Sequence, residues 1–558
     1  MSRERREQYK QQLVNLYVKF VELYKKDPTK AEFTDFVHLV DNEGNEIPWT
    51  NFYRKLSDLR ADVLVDFSDV LEDNTFNEED FATADYYERA MNAISKHNRF
   101  VIATAVNNKP VDIEFLNALV SYAEKNNACL LWLASHDVRS AKRTYEWNFD
   151  PALKCGYIVT KDMLLNSNLM ISAITVSAKQ INPLTGVDRF AGKYDRSIIF
   201  PGCKQQWQYV ATRKGKEPHL IACTGAITVP DYSNDLIMSG RTSYIAERDH
   251  LLGATIVEIE NDNIFHVRVI QSTEDGSFTD LGVKYYPDGT TTKSKNAVLV
   301  QGDSHVGSHD RELFSEILSL MKDSDFITTT VLHDICNSSS VSHHEANDFI
   351  KKVTRALEGS DDMVGEATEV VDYLNQLTSL SNLQVVVVNS NHDRHIERYI
   401  KEARAFKDRD FKNTRTACAL FLELTKEDGA LKNPVKFLVE NISSHPLNNP
   451  ERITWLGLDE SYVKYGVELG MHGDLGANGG RGSLQTYEKS VYNAVVAHAH
   501  SAAIKQKVFR VGTTSEMDMG YNHGLSSWTR TCCLVYEDGT KQLINFIPNG
   551  KGGYSYHV

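Results

Sequence analysis

Five short apolar segments in the second half of the chain each end in residues that commonly bind metal ions. Residues 298–302 lead into Asp303 and His305. An apolar run of this length that ends in a polar turn is typical of a buried strand. An open α/β sheet gathers the carboxyl ends of its strands at one edge, so these segments constrain the fold strongly. The other four segments end, in chain order, at Asp334, at Asn391 and His392, at His472, and at His498 and His500.

The composition is typical of a soluble globular protein with several domains. Of the 558 residues, 41% are hydrophobic and 24% are charged, and a chain of this length exceeds a single hydrophobic core. No apolar run approaches the ~20 residues that cross a bilayer, and the chain begins with a charged helical pattern rather than a signal peptide. The eight cysteines include no CxxC pair, which fits reduced thiols. We therefore expect a cytoplasmic protein with no membrane partner.

The net charge leaves the class of partner open. A value of −14 argues mildly against a protein that coats nucleic acid non-specifically. It does not exclude a nuclease, because metal-binding carboxylates contribute negative charge that divalent ions offset.

The first part of the chain, residues 1–65, reads as a small helical unit. Apolar residues recur at helical spacing between Tyr9 and Tyr24, and a break follows. A second, short helix is expected over residues 30–40 with Thr29 as its N-cap, and a third, basic helix over residues 49–64. This order is compatible with a helix-turn-helix DNA reader and equally with a helical cap or oligomerisation element.

The next segment, residues 85–290, predicts an accessory α/β domain after an acidic linker at 70–80. Strands at 99–105 and 129–133 flank an amphipathic helix at 112–126, which makes a βαβ unit. Basic clusters at 139–143 and 213–216 are either phosphate contacts or solvated loops. The further expected strands are 196–200, 219–229, 254–260 and 265–271.

The remaining segment, residues 295–558, predicts alternating strands and helices with a ligand after most strands. The helices are expected at 311–321, 344–358, 363–380 and 393–406. The strands are expected at 297–301, 327–332, 384–388, 435–440, 467–471 and 491–497.

The residue types at these strand ends suit a pair of divalent ions. Two ions need a bridging carboxylate, and Asp334 is the natural bridge because it stands alone between the other sets. The mixture of imidazole, carboxylate and amide ligands favours manganese, iron or zinc over calcium; we expect Mn²⁺, with Mg²⁺ as an alternative. His392 is a candidate general acid for the leaving oxygen. One ion would take Asp303, His305 and His500, and the other Asn391, His472 and His498.

The order of these motifs resembles the calcineurin-like metallophosphoesterase family, whose pattern is DxH, GD, GNH(D/E), H and GHxH. The match covers about residues 295–515. It departs from the family where glycines are replaced by His333, Ser390 and Ala497, which bears on loop geometry and leaves every metal-binding side chain in place. The resemblance implies a C-terminal β-sandwich flanked by helices. It also implies hydrolysis of a phosphate ester by a hydroxide held between two ions, with His392 as the acid.

Within that family the chain is similar to the double-strand-break repair nucleases. Its first motif, residues 303–307, reads DSHVG and resembles their DxHLG, whereas residues 333–338 lack the GDxVDRG of the protein phosphatases. The layout and length also resemble the early host-DNA-degrading nucleases of large tailed phages. The resemblance therefore implies a DNA nuclease, a homo-oligomer located in the host cytoplasm if phage-encoded. The alternatives are a phosphatase or nucleotide phosphodiesterase of the same family, and a non-catalytic DNA-binding or scaffold protein.

Three further residues are candidates for substrate binding. His343 lies in a serine-rich loop after Asp334, and Arg394 begins the helix after His392. Arg481 lies in a glycine-rich loop whose amides could hold a phosphate. His343 and Arg481 are equally compatible with an ordinary exposed loop. Tyr521 and Trp528 could stack on bases or fill a core.

Overall fold

Helices and mixed β-sheets make up the computed structural model, so the predicted α/β class is confirmed. Two compact units divide the chain, Met1–Ala84 and Asp85–Val558. Among the described helices, none combines the length and apolar character needed to cross a membrane. The structure describes residues 3–24, 28–40, 46–53, 59, 78–136, 147–174, 176–177, 180–230, 240–407, 410–426 and 433–557.

The first unit contains the two helices that the sequence predicts. They span Arg3–Tyr24 and Lys30–Phe36. Thr29 caps the second helix in a capping box with Glu32: its backbone N–H donates to the Glu32 carboxylate over 2.8 Å, and its hydroxyl accepts from the Glu32 N–H. The third predicted helix begins as a 3₁₀ turn, Trp49–Asn51; most of residues 54–64, and the predicted linker up to residue 77, lie outside the described residues. A helix, Glu78–Ile94, follows.

A five-stranded sheet contains the predicted βαβ unit. The strands Arg99–Val106 and Cys129–Ser135 pair in parallel, and the helix Ile113–Asn126 connects them. Asp112 caps this helix by accepting from the Phe115 N–H over 2.9 Å. The helix packs on one face of the sheet. The order of the strands is Phe265–Gln271, Gly253–Ile259, Arg99–Val106, Cys129–Ser135 and Tyr157–Val159.

A six-stranded sheet carries the first three ligand segments. Its first four strands run parallel to one another. The fifth strand pairs antiparallel with the fourth, and the sixth pairs antiparallel with the fifth. The helices between the strands are Arg311–Asp323, Phe349–Glu358, Met363–Thr378 and Asp393–Lys401. The order of the strands is Ile453–Trp455, Gln384–Val387, Ile327–Leu332, Ala297–Val300, Thr531–Tyr536 and Lys541–Asn545.

A ten-stranded sheet carries the last ligand segments and takes strands from both sides of residue 295. The strand Ala503–Lys505 pairs antiparallel with Gln206–Val210 and so joins the two halves. The division into domains at 85–290 and 295–558 stays a prediction, and both segments belong to one compact unit. The order is Val463–Lys464, Val467–Glu468, Ala494–Val496, Val508–Arg510, Ala503–Lys505, Gln206–Val210, His219–Cys223, Ser197–Phe200, Leu169–Ile171 and Met163–Asn166.

The six-stranded and ten-stranded sheets share a hydrophobic core. Side chains alternate between the two faces of a strand: Val298 and Val300 belong to the core shared with the ten-stranded sheet, and Leu299 belongs to the core under the helices. This arrangement of two sheets with helices outside agrees with the sandwich that the family resemblance implies.

One predicted strand, residues 435–440, is wrong: the structure has the helix Pro434–Asn441. Asn433 caps this helix by accepting from the N–H groups of Val435 and Lys436, and proline suits the first helical position. The apolar run contains a helical face as well as a strand pattern, and the cap decides between them. The other helices are Asp188–Tyr194, Gly240–Asp249, Arg404–Lys407, Thr414–Lys426 and Leu484–Ser490.

Short elements complete the second unit. Three strands form a small antiparallel sheet and two form a terminal ribbon. The strands are Phe278–Asp280, Val283–Tyr285, Thr291–Lys293, Ile547–Pro548 and Tyr554–Ser555. The 3₁₀ turns are Pro151–Cys155, Ser339–Val341, His343–Glu345, Pro450–Arg452 and Ala477–Gly479.

A lysine buried in the second unit makes its stability depend on pH. Lys541 is 2% exposed, donates to Asn493 Oδ1 and lies 5.0 Å from the centre of the Phe509 ring. Burial lowers the pKa of Lys541 from 10.5 to about 7. The unfolded chain therefore binds more protons between pH 7 and 10.5, and the free energy of unfolding rises with pH across that window.

Replacing Lys541 by methionine is expected to raise the thermal stability at pH 7 and to reduce its rise towards pH 10. The buried charge costs on the order of a few kcal/mol at pH 7, and methionine keeps most of the packing. Calorimetric Tm values for both proteins at pH 7, 8.5 and 10 measure the effect. Parallel pH profiles for the two proteins would contradict the assignment.

Candidate metal centre

Three of the four parallel strands of the six-stranded sheet deliver the first ligands to one edge. Asp303 follows Ala297–Val300, Asp334 follows Ile327–Leu332, and Asn391 follows Gln384–Val387. The first and third of these strands both pair with the second, so their carboxyl ends meet.

The ten-stranded sheet delivers the remaining ligands to the same place. His472 follows Val467–Glu468, and His498 and His500 follow Ala494–Val496. These two strands also pair in parallel. The candidate centre therefore lies where the edges of two sheets meet, and it holds all seven predicted metal ligands together with His392.

Backbone hydrogen bonds tie the loops that carry the ligands to one another. The His305 N–H donates to the Asp334 carbonyl over 2.8 Å, and the Thr514 N–H donates to the Asp303 carbonyl over 2.9 Å. Gly302 permits this close approach, because a Cβ there would lie 2.7 Å from the carbonyl carbon of Gly512. The first two motifs are thus held in fixed register.

Four of the ligands adopt the left-handed backbone conformation. The φ angles are 44° at His305, 44° at Asp334, 73° at His498 and 56° at His500. This conformation is unfavourable for residues other than glycine and concentrates at functional sites, where the surrounding structure sustains it. Here it turns successive side chains towards the sheet edge.

The first group of donors consists of Asp303, His305 and His500. The Nε2 atoms of His305 and His500 lie 3.0 Å apart, and His500 Nε2 lies 3.0 Å from Asp303 Oδ2. Two nitrogens bound to one tetrahedral ion are separated by roughly 3.3 Å. The group therefore converges on a volume that suits one cation.

The second group consists of Asp334, Asn391, His472 and His498. Asn391 Oδ1 lies 2.8 Å from His472 Nε2 and 3.1 Å from His498 Nδ1. Asp334 Oδ2 lies 3.3 Å from His472 Nε2 and 3.8 Å from His305 Nε2, which belongs to the first group. Asp334 thus lies between the two groups, in the place predicted for a bridge.

The donor atoms fit divalent cations on a second criterion. The donors comprise imidazoles, carboxylates and an amide, the set that manganese, iron and zinc accept. The site can bind metal ions; the identity and number of the ions are matters of proposal.

The electrostatics keep both carboxylates ionised. Burial raises the pKa of Asp303, but the hydrogen bond from His500 and the charge on His472 outweigh it and lower that pKa to about 2. Burial also raises the pKa of Asp334, but the charges on His472 and His392 outweigh it and lower that pKa well below its usual value. Burial lowers the pKa of His305 to about 3, so its nitrogen is neutral. Ionised carboxylates and a neutral His305 are the forms that bind metal. Burial lowers the pKa of His472, but the charge on Asp334 outweighs it and raises that pKa to about 9, so an ion bound there would displace that proton.

His392 faces the centre from the start of the helix Asp393–Lys401. Its Nδ1 lies 2.6 Å from the Asn337 carbonyl, which can only accept, so Nδ1 carries a proton. Its ring centre lies 4.6 Å from that of His305, and its backbone N–H donates to Asp334 Oδ1 over 3.4 Å. The other ring nitrogen, Nε2, is left for proton transfer.

A cleft of about 1320 Å³ opens beside the centre. Asp334, His392 and His500 contribute to its wall, together with the aromatic residues Tyr521 and Trp528. The Trp528 ring centre lies 4.2 Å from that of His500, and Tyr521 is 52% exposed. The sequence left open whether these aromatic side chains fill a core. In the structure they line the cleft.

The three predicted substrate-binding residues lie in different settings. His343 is half-buried against His395. Arg394 forms an ion pair with Asp474 through Nη2, and its Nη1 is buried without a hydrogen-bond partner. Arg481 is exposed on the loop that follows His472. The structure therefore brings His343 near the centre and directs Arg394 to a carboxylate.

Two buried residues at the centre were missed from the sequence. His333 is fully buried, with its ring centre 5.6 Å from that of His472, and burial lowers its pKa to about 3. Asp393 accepts from the Ser390 N–H over 3.1 Å, and burial raises its pKa to about 7. Each is adjacent in sequence to a predicted site residue, which is the signal that could have identified it.

Comparison with known proteins gives one similar protein over most of the chain. The chain is 26% identical over 482 residues to Protein A1 of Escherichia phage T5, which covers 82% of this chain and 83% of that protein. No family model matches the chain. The similarity supports a phage origin.

Proposed function

We propose that this protein is a divalent-metal-dependent nuclease of the calcineurin-like metallophosphoesterase type that hydrolyses phosphodiester bonds in DNA. The observation that carries the proposal is the convergence of two donor groups on either side of Asp334, with His392 beside them. A site that served only to stabilise the fold would not require an oriented histidine directed at a cleft.

The protein's side chains would hold two cations and orient the substrate. Asp303, His305 and His500 would bind one ion, Asn391, His472 and His498 the other, and Asp334 both. When bound, such ions activate water and neutralise the charge that develops on phosphate oxygens. The short backbone hydrogen bonds between the ligand loops hold the donors in place before substrate arrives.

His392 would protonate the oxygen that leaves phosphorus. The hydrogen bond from Nδ1 to Asn337 fixes the ring and presents Nε2 to the cleft. When both nitrogens carry protons, Nε2–H can donate to the departing oxygen. Asn337 acts on this step only through the orientation of the ring, so it is a positioning residue.

The cleft favours a polymeric substrate. Its volume of about 1320 Å³ exceeds the ~300–1,000 Å³ typical of small-molecule sites. Tyr521 and Trp528 offer ring faces on which bases can stack. The similarity to a phage protein is compatible with a nuclease that degrades host DNA.

A substrate panel with added Mn²⁺ tests the proposal. Circular and linear duplex DNA and single-stranded DNA should be cut, and nitrophenyl phosphate and cyclic nucleotides should be hydrolysed far more slowly. Rapid hydrolysis of the monoester or the cyclic nucleotides without DNA cleavage would instead support the phosphatase or phosphodiesterase alternative. DNA that is bound but not cut with any of Mn²⁺, Mg²⁺, Fe²⁺ or Zn²⁺ would support the non-catalytic alternative.

Tyr521→Ala is expected to weaken binding of single-stranded DNA, while Tyr521→Phe retains it. Stacking of a base on an aromatic ring contributes about 1–3 kcal/mol, so the alanine variant should raise Kd by roughly fivefold to 150-fold. Fluorescence anisotropy with Ca²⁺ in place of Mn²⁺ measures binding without turnover. Equal affinities for the alanine variant and the wild type would exclude a stacking role.

A further inference from the structure

Three histidines form a separate cluster, and two of them, His344 and His395, line the cleft. His343 and His344 lie on the 3₁₀ turn His343–Glu345, and His395 lies on the helix Asp393–Lys401. The ring centres of His343 and His344 are 3.9 Å apart, and that of His395 lies 4.8 Å from His343. One nitrogen of each ring lies within 4.8 Å of one nitrogen of each other ring.

Ion pairs and hydrogen bonds hold the turn that carries two of these histidines. Glu345 lies 2.9 Å from Lys351 Nζ and 2.6 Å from Arg355 Nη2, both on the following helix. Arg404 donates to the Val341 carbonyl over 2.9 Å. His343 and His344 therefore lie on a turn that these contacts hold in place. The adjacent carboxylate of Glu345 is already paired with Lys351 and Arg355.

Two nitrogens in the cluster lack the partners that buried groups normally have. His395 is 5% exposed, and its Nδ1 and that of His343 are buried without a hydrogen-bond partner. An unpaired buried polar atom costs about 1–3 kcal/mol. By contrast, His266 and His557, which lie beside Glu260, each have a carboxylate partner within 3.1 Å. Hydrogen bonds to carboxylates account for the burial of His266 and His557. They do not account for the unpaired nitrogens of His343 and His395.

The electrostatic setting keeps His343 and His395 neutral. Burial, together with the neighbouring His392, His343 and His344, lowers the pKa of His395 to about 3. Burial and His344 also lower the pKa of His343. Neutral imidazoles have the lone pairs that a metal ion requires.

We propose that His343, His344 and His395 form a third cation site, selective for Zn²⁺ or a similar nitrogen-seeking ion, beside the two-ion centre. Three imidazoles without a carboxylate suit such ions better than Mg²⁺ or Ca²⁺. A site with three protein ligands keeps a position for another molecule. Because His344 and His395 line the cleft, that position faces the substrate.

The site is close enough to the two-ion centre to act on the same substrate. The ring centres of His395 and His392 are 4.8 Å apart. The free position would accept an oxygen of a phosphate that neighbours the scissile one; this role rests on the proposed nuclease function, whereas the metal site itself does not.

Counting bound zinc on the intact protein tests the site without reference to activity. After equilibration with Zn²⁺ and removal of loosely held metal, native mass spectrometry of the His343→Ala/His344→Ala variant should show one ion fewer than the wild type. The difference, rather than the total, is the result, so it stands even if the two-ion centre fails to load. Equal counts would overturn the proposal.

A milder variant guards against misfolding. His344 is exposed, so His344→Ala should keep the wild-type Tm while its affinity for the third ion falls on the order of tenfold or more. The matched control is His445→Ala, which removes an exposed imidazole paired with Asp372. This control should bind as many ions as the wild type. Unchanged zinc affinity in His344→Ala, or equal weakening in His445→Ala, would contradict the site.

Discussion

Replacing Asp334 by asparagine is expected to reduce DNA cleavage by about a hundredfold to ten-thousandfold. Asp334 lies between the two donor groups, 3.3 Å from His472 and 3.8 Å from His305, so the loss of its charge weakens both ion sites. Charge stabilisation by bound ions contributes several kcal/mol to phosphoryl displacement, and each 1.36 kcal/mol is about tenfold in rate. The substitution preserves shape and changes only the charge.

The measurement combines an initial rate on duplex DNA with the content of bound Mn²⁺. The matched control is Asp372→Asn, which makes the same change at an exposed residue and should leave both quantities at the wild-type level. If the Asp334 variant cut DNA at the wild-type rate with its metal lost, the two-ion mechanism would be wrong.

Replacing His392 by alanine is expected to slow DNA cleavage by about a hundredfold to ten-thousandfold while the metal content stays unchanged. This is the usual contribution of a general acid. His392 presents Nε2 to the cleft because Nδ1 is held by the Asn337 carbonyl, and none of the seven proposed ligands is removed. Loss of rate with metal retained separates this role from that of Asp334.

The choice of leaving group tests the acid role directly. Nitrophenolate departs without protonation, so hydrolysis of bis(4-nitrophenyl) phosphate should be slowed by less than about tenfold in the His392 variant. A loss of the same size on both substrates would show that His392 acts in another way. His445→Ala again serves as the histidine control.

The ligands were predictable from the sequence because their signal is local. Asp303, Asp334 and Asn391 each follow an apolar run of strand length, and the structure places all three after adjacent parallel strands. The residue type indicates which ligand the side chain can provide, and its place after a strand indicates that it lies at the edge of the sheet. Neither requires knowledge of distant contacts.

Features that depend on distant partners were not predictable. Arg394 was a candidate for phosphate binding, but the structure pairs it with Asp474, 80 residues away. The helix Pro434–Asn441 replaces a predicted strand, and its apolar face packs in the core with the distant helix Met363–Thr378. The cluster of His395 with His343 joins elements about fifty residues apart.

The sequence by itself determined the α/β class and the set of side chains at the candidate centre, because strand periodicity and residue chemistry are local properties. Only the tertiary structure decided that two sheets meet at this centre, with Ala503–Lys505 paired to Gln206–Val210. It also decided that three further imidazoles, those of His343, His344 and His395, lie close together. The physical reason is that strand pairing and burial are settled by the hydrophobic faces of segments hundreds of residues apart, which no local pattern encodes.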